Sequence, residues 1–142
     1  MAQQIMHTGF VVENKERAVA FYRDVVGLRV ISEYERQGDA IDKVLGYADV
    51  HLKSAILDMR EGHVLELIQY VNPPPAARPT PERNVVGAAH MAFQVADLQE
   101  AYARWTTGGA TALEEPQQIV PGRWICYLQD PDGNWMELVQ VD

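Results

Sequence analysis

The 142-residue chain has little cysteine, little positive charge and no long apolar run, and each shortage closes off a class of function. A single cysteine, Cys126, cannot form an intramolecular disulfide. Lys and Arg number 12 against 20 Asp and Glu, for a net charge of −8. Without a basic block, such a chain is unsuited to nucleic acid or an anionic membrane. The same acidity opposes capture of a strongly anionic substrate unless a local patch or a metal cation offsets it. No apolar stretch approaches the roughly 20 residues of a membrane-spanning helix. The opening MAQQIMHTGF has neither a basic start nor an apolar core, so no secretory signal is expected and the cytoplasm is the expected location. What remains, 47% hydrophobic and 23% charged, is an ordinary globular composition for one compact domain.

One stretch reads as a linker. Asn72 to Asn84, NPPPAARPTPERN, carries five prolines and almost no aliphatic residue, which rules out a helix interior or a central strand. It separates a first module, about 1–72, from a second, about 85–142. The two resemble each other. HTGFVVENKERAVAFY aligns with HMAFQVADLQEAYARW, bringing His7 to His90, Phe10 to Phe93 and Val12 to Val95. GHVLELIQYV aligns with GNWMELVQVD, bringing Gly62 to Gly133, Glu66 to Glu137 and Gln69 to Gln140. The chain is an internal repeat whose first half carries extra length.

Each half reads as β-α-β-β-β. Strands are expected near 4–12, 28–34, 52–58 and 63–71, then near 87–95, 111–114, 123–129 and 134–141. Asn14 is a plausible cap for a helix running to Val26, with Gly27 as its stop. Asp97 and Glu100 form a capping-box pattern before a helix at 98–107. DPDG, Asp130 to Gly133, is a hairpin turn signal. DAIDKVLGY, from Asp39, reads as a short helix, either a lid over a substrate or a packed surface element. A lone unit of this kind leaves a sheet face uncovered, so the halves are expected to pack together or dimerise.

Side chains alternate along a strand, so each of these strands has one solidly apolar face. The other face carries a single His or Glu near its middle: His7, Glu66, His90 and Glu137. A carboxylate within an apolar strand is costly unless something pairs with it. Two imidazoles and two carboxylates are a sensible ligand set for a divalent transition metal, and their net charge roughly cancels a dication. Read singly, each would be an unrelated polar residue; the repeat places all four in phase. Tyr70, Trp124, Tyr127 and Trp135 could line the same site, although core packing explains most aromatics. Cys126 reads as a buried apolar filler and His63 as an exposed turn residue.

These motifs, HTGFVVEN, LELIQY, AHMAFQV and above all DPDGNWMELVQ, resemble the vicinal oxygen chelate superfamily, the glyoxalase/bleomycin-resistance/extradiol dioxygenase fold. The resemblance covers the whole chain. It implies an α+β fold, two tandem β-α-β-β-β modules forming curved mixed sheets around a metal-binding cavity. It implies His7, Glu66, His90 and Glu137 as ligands of one divalent ion per site, whether Ni, Co, Zn, Mn or Fe. The ion would chelate a substrate through neighbouring oxygens while a carboxylate moves a proton, with Glu137 the first choice and Glu66 the second. Epimerase relatives carry a catalytic carboxylate near the place of Asp49 and His51, which makes His51 a third catalytic candidate beside its plainer reading as a surface histidine. A homodimer is implied, with the site formed within one chain or across two. Glyoxalase I relatives bind glutathione through positions that here hold Val11 and Tyr70, so an apolar or aromatic small molecule is the expected substrate.

The leading reading is a metal-dependent lyase or isomerase/epimerase. An extradiol-type Fe(II) dioxygenase is the alternative, using His7, His90 and Glu137 as a facial triad, with Glu66 counting against it. A non-catalytic drug-binding or resistance protein is the third. Thiol transfer to fosfomycin would need anion-binding Lys and Arg that are not evident on the expected strands.

Overall fold

The computed structural model describes residues 4–141. The chain divides into two compact units, one ending at Ala77 and the other beginning at Arg78, inside the proline-rich stretch.

In the first unit β1 (His7–Val11) leads into α1 (Lys15–Ala20), which continues as a wider π-type turn over Phe21–Val26. There follow β2 (Arg29–Gln37), α2 (Asp39–Leu45), β3 (His51–Asp58) and β4 (Val64–Asn72). The sheet order is β1-β4-β3-β2, with β1 parallel to β4 and the other pairs antiparallel. In the second unit β5 (Met91–Gln94) precedes α3 (Leu98–Thr107), β6 (Thr111–Ala112), β7 (Gln117–Val120), β8 (Arg123–Gln129) and β9 (Trp135–Val141). Its sheet order is β5-β9-β8-β6, with β7 also paired to β8. The β-α-β-β-β plan thus appears twice, each time with the first strand lying parallel beside the last. No helix among the described residues is long and apolar enough to cross a membrane.

Two of the helices, α1 and α3, begin the same way. The Asn14 side chain accepts from the Arg17 amide at 2.8 Å, and the Asp97 side chain accepts from the Glu100 amide at 2.9 Å. Gln69 Oε1 then accepts the Lys15 amide and Gln140 Oε1 the Leu98 amide, both at 2.8 Å. The starts of α1 and α3 therefore each have two otherwise orphaned donors satisfied, one by the cap and one by the last strand of the same unit.

The core sits between helix and sheet in each unit. Leu57, Leu65 and Leu67 are fully buried with Tyr22 on one side of the first sheet. Leu128, Met136 and Leu138 occupy the corresponding positions in the second, where Phe93 and Trp105 meet edge to face at 5.2 Å. Each such side chain contributes about 2 kcal/mol on burial. Cys126 belongs to this core as expected, and burial pushes its thiol up to about 11.

Several boundaries differ from the sequence expectation. The first helix unwinds from α to π winding at Phe21, where the Gly27 amide reaches Tyr22 O at 3.1 Å. The strand expected over 87–95 begins only at Met91, because a turn joins Val85 O to the Ala88 amide with Gly87 at φ +91°. β7 was not expected; it pairs with β8 as a hairpin closed at Pro121 and Gly122. α2 forms where expected but buries no residue, with Val44 left 78% exposed.

Candidate metal centre

The helix-free face of each sheet carries a His–Glu pair held by the same register. In the first unit Gly9 lies directly opposite Glu66, and His7, two residues earlier on the same face, lies opposite Val64. In the second, Ala92 lies opposite Glu137, and His90 again stands two residues earlier. On the side of the histidine's own strand, the neighbour of each glutamate is thus glycine or alanine. That leaves space for the histidine to lean diagonally toward the carboxylate. His7 Nε2 stands 3.4 Å from Glu66 Oε2, and His90 Nε2 stands 3.2 Å from Glu137 Oε2. In both pairs the histidine side chain is 44% exposed and the glutamate is sunk to about 15% or less. The buried-charge problem at Glu66 therefore recurs at Glu137 with the same partner.

A tyrosine attends each pair, from non-equivalent positions. The Tyr34 hydroxyl, reaching over from β2, donates to Glu66 Oε1. Tyr127 on β8 lies directly opposite Glu137, its hydroxyl 3.4 Å from His90 Nε2 and its ring edge-on to the imidazole at 5.2 Å. Burial, reinforced by the neighbouring glutamate, raises both phenols, so each stays protonated at neutral pH. Arginines stack on both: Arg36 lies 4.6 Å from the Tyr34 ring, and Arg83 lies 5.6 Å from the Tyr127 ring and 4.6 Å from that of Trp135.

His51 is not brought to either pair. Its Nε2 bonds Glu35 Oε2 at 2.8 Å, and Glu35 follows Tyr34 on β2, so it points to the face away from Glu66. His63 is not a free turn residue; its Nε2 lies 3.0 Å from Thr8 Oγ1. Of the four aromatics, Tyr127 and Trp135 adjoin the His90–Glu137 pair. Tyr70 packs edge-to-face on Tyr47 at 6.4 Å, and Trp124 lies beside Asp97, Leu98 and Gln140 on the rim of a shallow cavity of about 270 Å³. Sequence reasoning missed Tyr34 and Arg83. A tyrosine two strands away, and an arginine in a proline-rich segment, have no local signature.

Among the described residues no group of three or more His, Cys, Asp or Glu stands together as a ready metal cluster. Each unit by itself supplies two donors. Those donors nevertheless fit a metal. Ligand distances of roughly 2.0–2.2 Å put two adjacent donor atoms about 3.0 Å apart at a right angle and about 3.4 Å apart at a tetrahedral one. The observed 3.4 and 3.2 Å match this range. They are longer than a good nitrogen–carboxylate hydrogen bond.

Known proteins are similar to this chain along nearly all of its length. The chain is 30% identical to a 2-epi-5-epi-valiolone epimerase of Actinomyces, spanning 99% of this chain and 80% of that protein. It is 24% identical to a lactoylglutathione lyase of Neisseria meningitidis, over 96% of this chain and 90% of that one. It is 28% identical to a catechol-2,3-dioxygenase of Bacillus subtilis, of which it spans only 40%. A solved glyoxalase family protein from Bacillus cereus superposes with a TM-score of 0.90 at 23% identity, covering 100% of this chain and 97% of that one, which speaks for the fold alone. Residues 4–138 match one family pattern throughout, and the chain belongs to the Glyoxalase/Bleomycin resistance protein/Dioxygenase superfamily.

Proposed function

We propose that this chain is a divalent-metal-dependent lyase or isomerase/epimerase. In this reading His7, Glu66, His90 and Glu137 hold one metal ion, and the two modules act as a single domain. The observation that carries it is the duplicated His–Glu pair, with the same diagonal register and donor spacing in both halves. Two unrelated surface pairs have no reason to share both. The ion, when bound, would supply Lewis-acid polarisation of two neighbouring substrate oxygens.

The chain's own residues do the rest. Glu137 takes the proton from the carbon beside the substrate carbonyl. The Tyr34 hydroxyl donates to one Glu66 oxygen and so restrains that carboxylate. Tyr127, protonated and beside His90, offers a hydrogen bond to a developing oxyanion. The half-buried Tyr127 ring, backed by Trp135, gives an aromatic or apolar substrate body a surface to lie on. The epimerase likeness supports proton abstraction and return as the reaction class. The protein works as a homodimer in the cytoplasm, where its buried Cys126 is undemanding.

A second reading, ring-cleaving dioxygenase chemistry at Fe(II), draws support from the catechol-2,3-dioxygenase likeness. Glu66 stands against it, since a fourth protein ligand takes a position that O₂ needs. One experiment separates the two: metal analysis of protein purified without added metal, followed by turnover and oxygen uptake with the metal found. Metal retained by Glu137→Gln together with undiminished turnover would refute proton transfer by Glu137. Oxygen uptake with catechols would select the second reading.

A further inference from the structure

The repeat duplicates the His–Glu pair and the helix-capping glutamine, but not everything around them. At the places of Tyr127 and Trp135 the first half carries Ile56 and Val64. Among the described residues only the second unit therefore has an aromatic pair at these places beside its His–Glu pair, and an arginine lies on it. Arg83 has its guanidinium carbon 4.6 Å from the Trp135 ring centre and 5.6 Å from that of Tyr127.

Its placement is built in. The Trp135 indole N–H donates to Pro81 O at 2.9 Å, and the Glu82 amide donates to Thr80 Oγ1 at 3.1 Å. Upstream, the Arg78 guanidinium donates to Asn134 Oδ1 at 3.1 Å. The segment bearing Arg83 is thus tied to the start of β9 on the same unit. Trp135 is only 5% exposed and gives it a fixed floor.

Stacking occupies the flat faces of a guanidinium and leaves the N–H groups in its plane free to donate. Arg83 has no carboxylate partner among the described residues, although the chain carries 20 Asp and Glu. Arg36 differs: it lies on a single ring, on an open strand between Glu35 and Gln37. Two steps lead from Arg83 to the His90 imidazole: 5.6 Å from the guanidinium carbon to the Tyr127 ring centre, then 5.2 Å from ring to ring. That is the reach of a small molecule.

We propose that Arg83 is the specificity-determining residue of this centre, and that the substrate carries an anionic group, a carboxylate or phosphate, on the arm opposite its chelating oxygens. Arg83 receives that group through a forked, charge-assisted hydrogen bond, with the substrate body against Tyr127. It is the local positive patch that lets a chain of charge −8 accept an anion. The proposal rests on the metal-chelation reading above and adds the substrate class.

The test uses two metal-chelating probes on the full chain loaded with a divalent ion: acetohydroxamate, and the monohydroxamate of succinic or glutaric acid, which adds a carboxylate. Affinities are read by calorimetry alongside metal content. Wild type is expected to prefer the carboxylate-bearing probe by about ten-fold or more. Arg83→Gln should bring the two probes to parity with metal content unchanged, and Arg83→Lys should recover part of the preference. Parity in wild type, or a preference that survives Arg83→Gln, overturns the anion site and leaves the metal centre standing. Failure of acetohydroxamate itself to bind the loaded wild type refutes the chelation reading, and this proposal with it.

Discussion

The two oxygens of Glu66 serve different partners: Oε1 accepts from the Tyr34 hydroxyl, while Oε2 faces His7 Nε2 at 3.4 Å. A hydrogen bond on one oxygen fixes the plane of the carboxylate and so aims the other. Tyr34→Phe removes the donor and keeps the ring under Arg36. Metal affinity should fall about ten-fold, in line with other outer partners of metal ligands. Competition against a chromophoric chelator measures it, and unchanged affinity would show that the hydroxyl does not orient Glu66.

If one ion is shared by both pairs, damage to either pair should empty it. His7→Ala and His90→Ala should each cut bound metal from one equivalent to near none. Two independent two-ligand sites would each lose half. Elemental analysis after dialysis against metal-free buffer distinguishes these results.

The helix starts provide a matched pair of stability tests. Gln69→Leu and Gln140→Leu each strip an acceptor from the first amide of a helix, at Lys15 and Leu98 respectively. A lost cap-type hydrogen bond costs about 1 kcal/mol, a melting shift of a few degrees. Thermal unfolding should show similar losses for both.

Cys126 makes a pH prediction. Burial pushes its thiol from the ordinary 9.0 up to about 11. Between those values the unfolded chain releases a proton that the folded chain keeps, so this group's contribution to stability is intact below about pH 9 and is lost as pH rises toward 11. Cys126→Ala should flatten that part of the stability–pH profile. The native thiol should also resist alkylation at pH 8 and react once urea unfolds the chain.

Much of the fold was legible because its signals are local. Asn14 and Asp97 announce the helices, DPDG announces the β8–β9 turn, and the alternation around Glu66 and Glu137 gives the faces. The buried partners Leu65, Leu67, Met136 and Leu138 fall where that alternation puts them. Boundaries were less legible where backbone geometry decides them. The π winding at Phe21 and the turn that delays β5 to Met91 depend on hydrogen bonds that residue type does not announce.

The sequence by itself determined the duplicated module and the in-phase histidines and glutamates. A repeat with period-two alternation fixes which residues share a face. Only the tertiary structure decided what surrounds them. It sent His51 to Glu35, bonded Tyr34 to Glu66 from two strands away, and laid Arg83 from a proline-rich segment over Trp135. Those contacts depend on strand order and on where a loop returns. Such choices are settled by the packing of distant residues, and no short stretch of sequence encodes them.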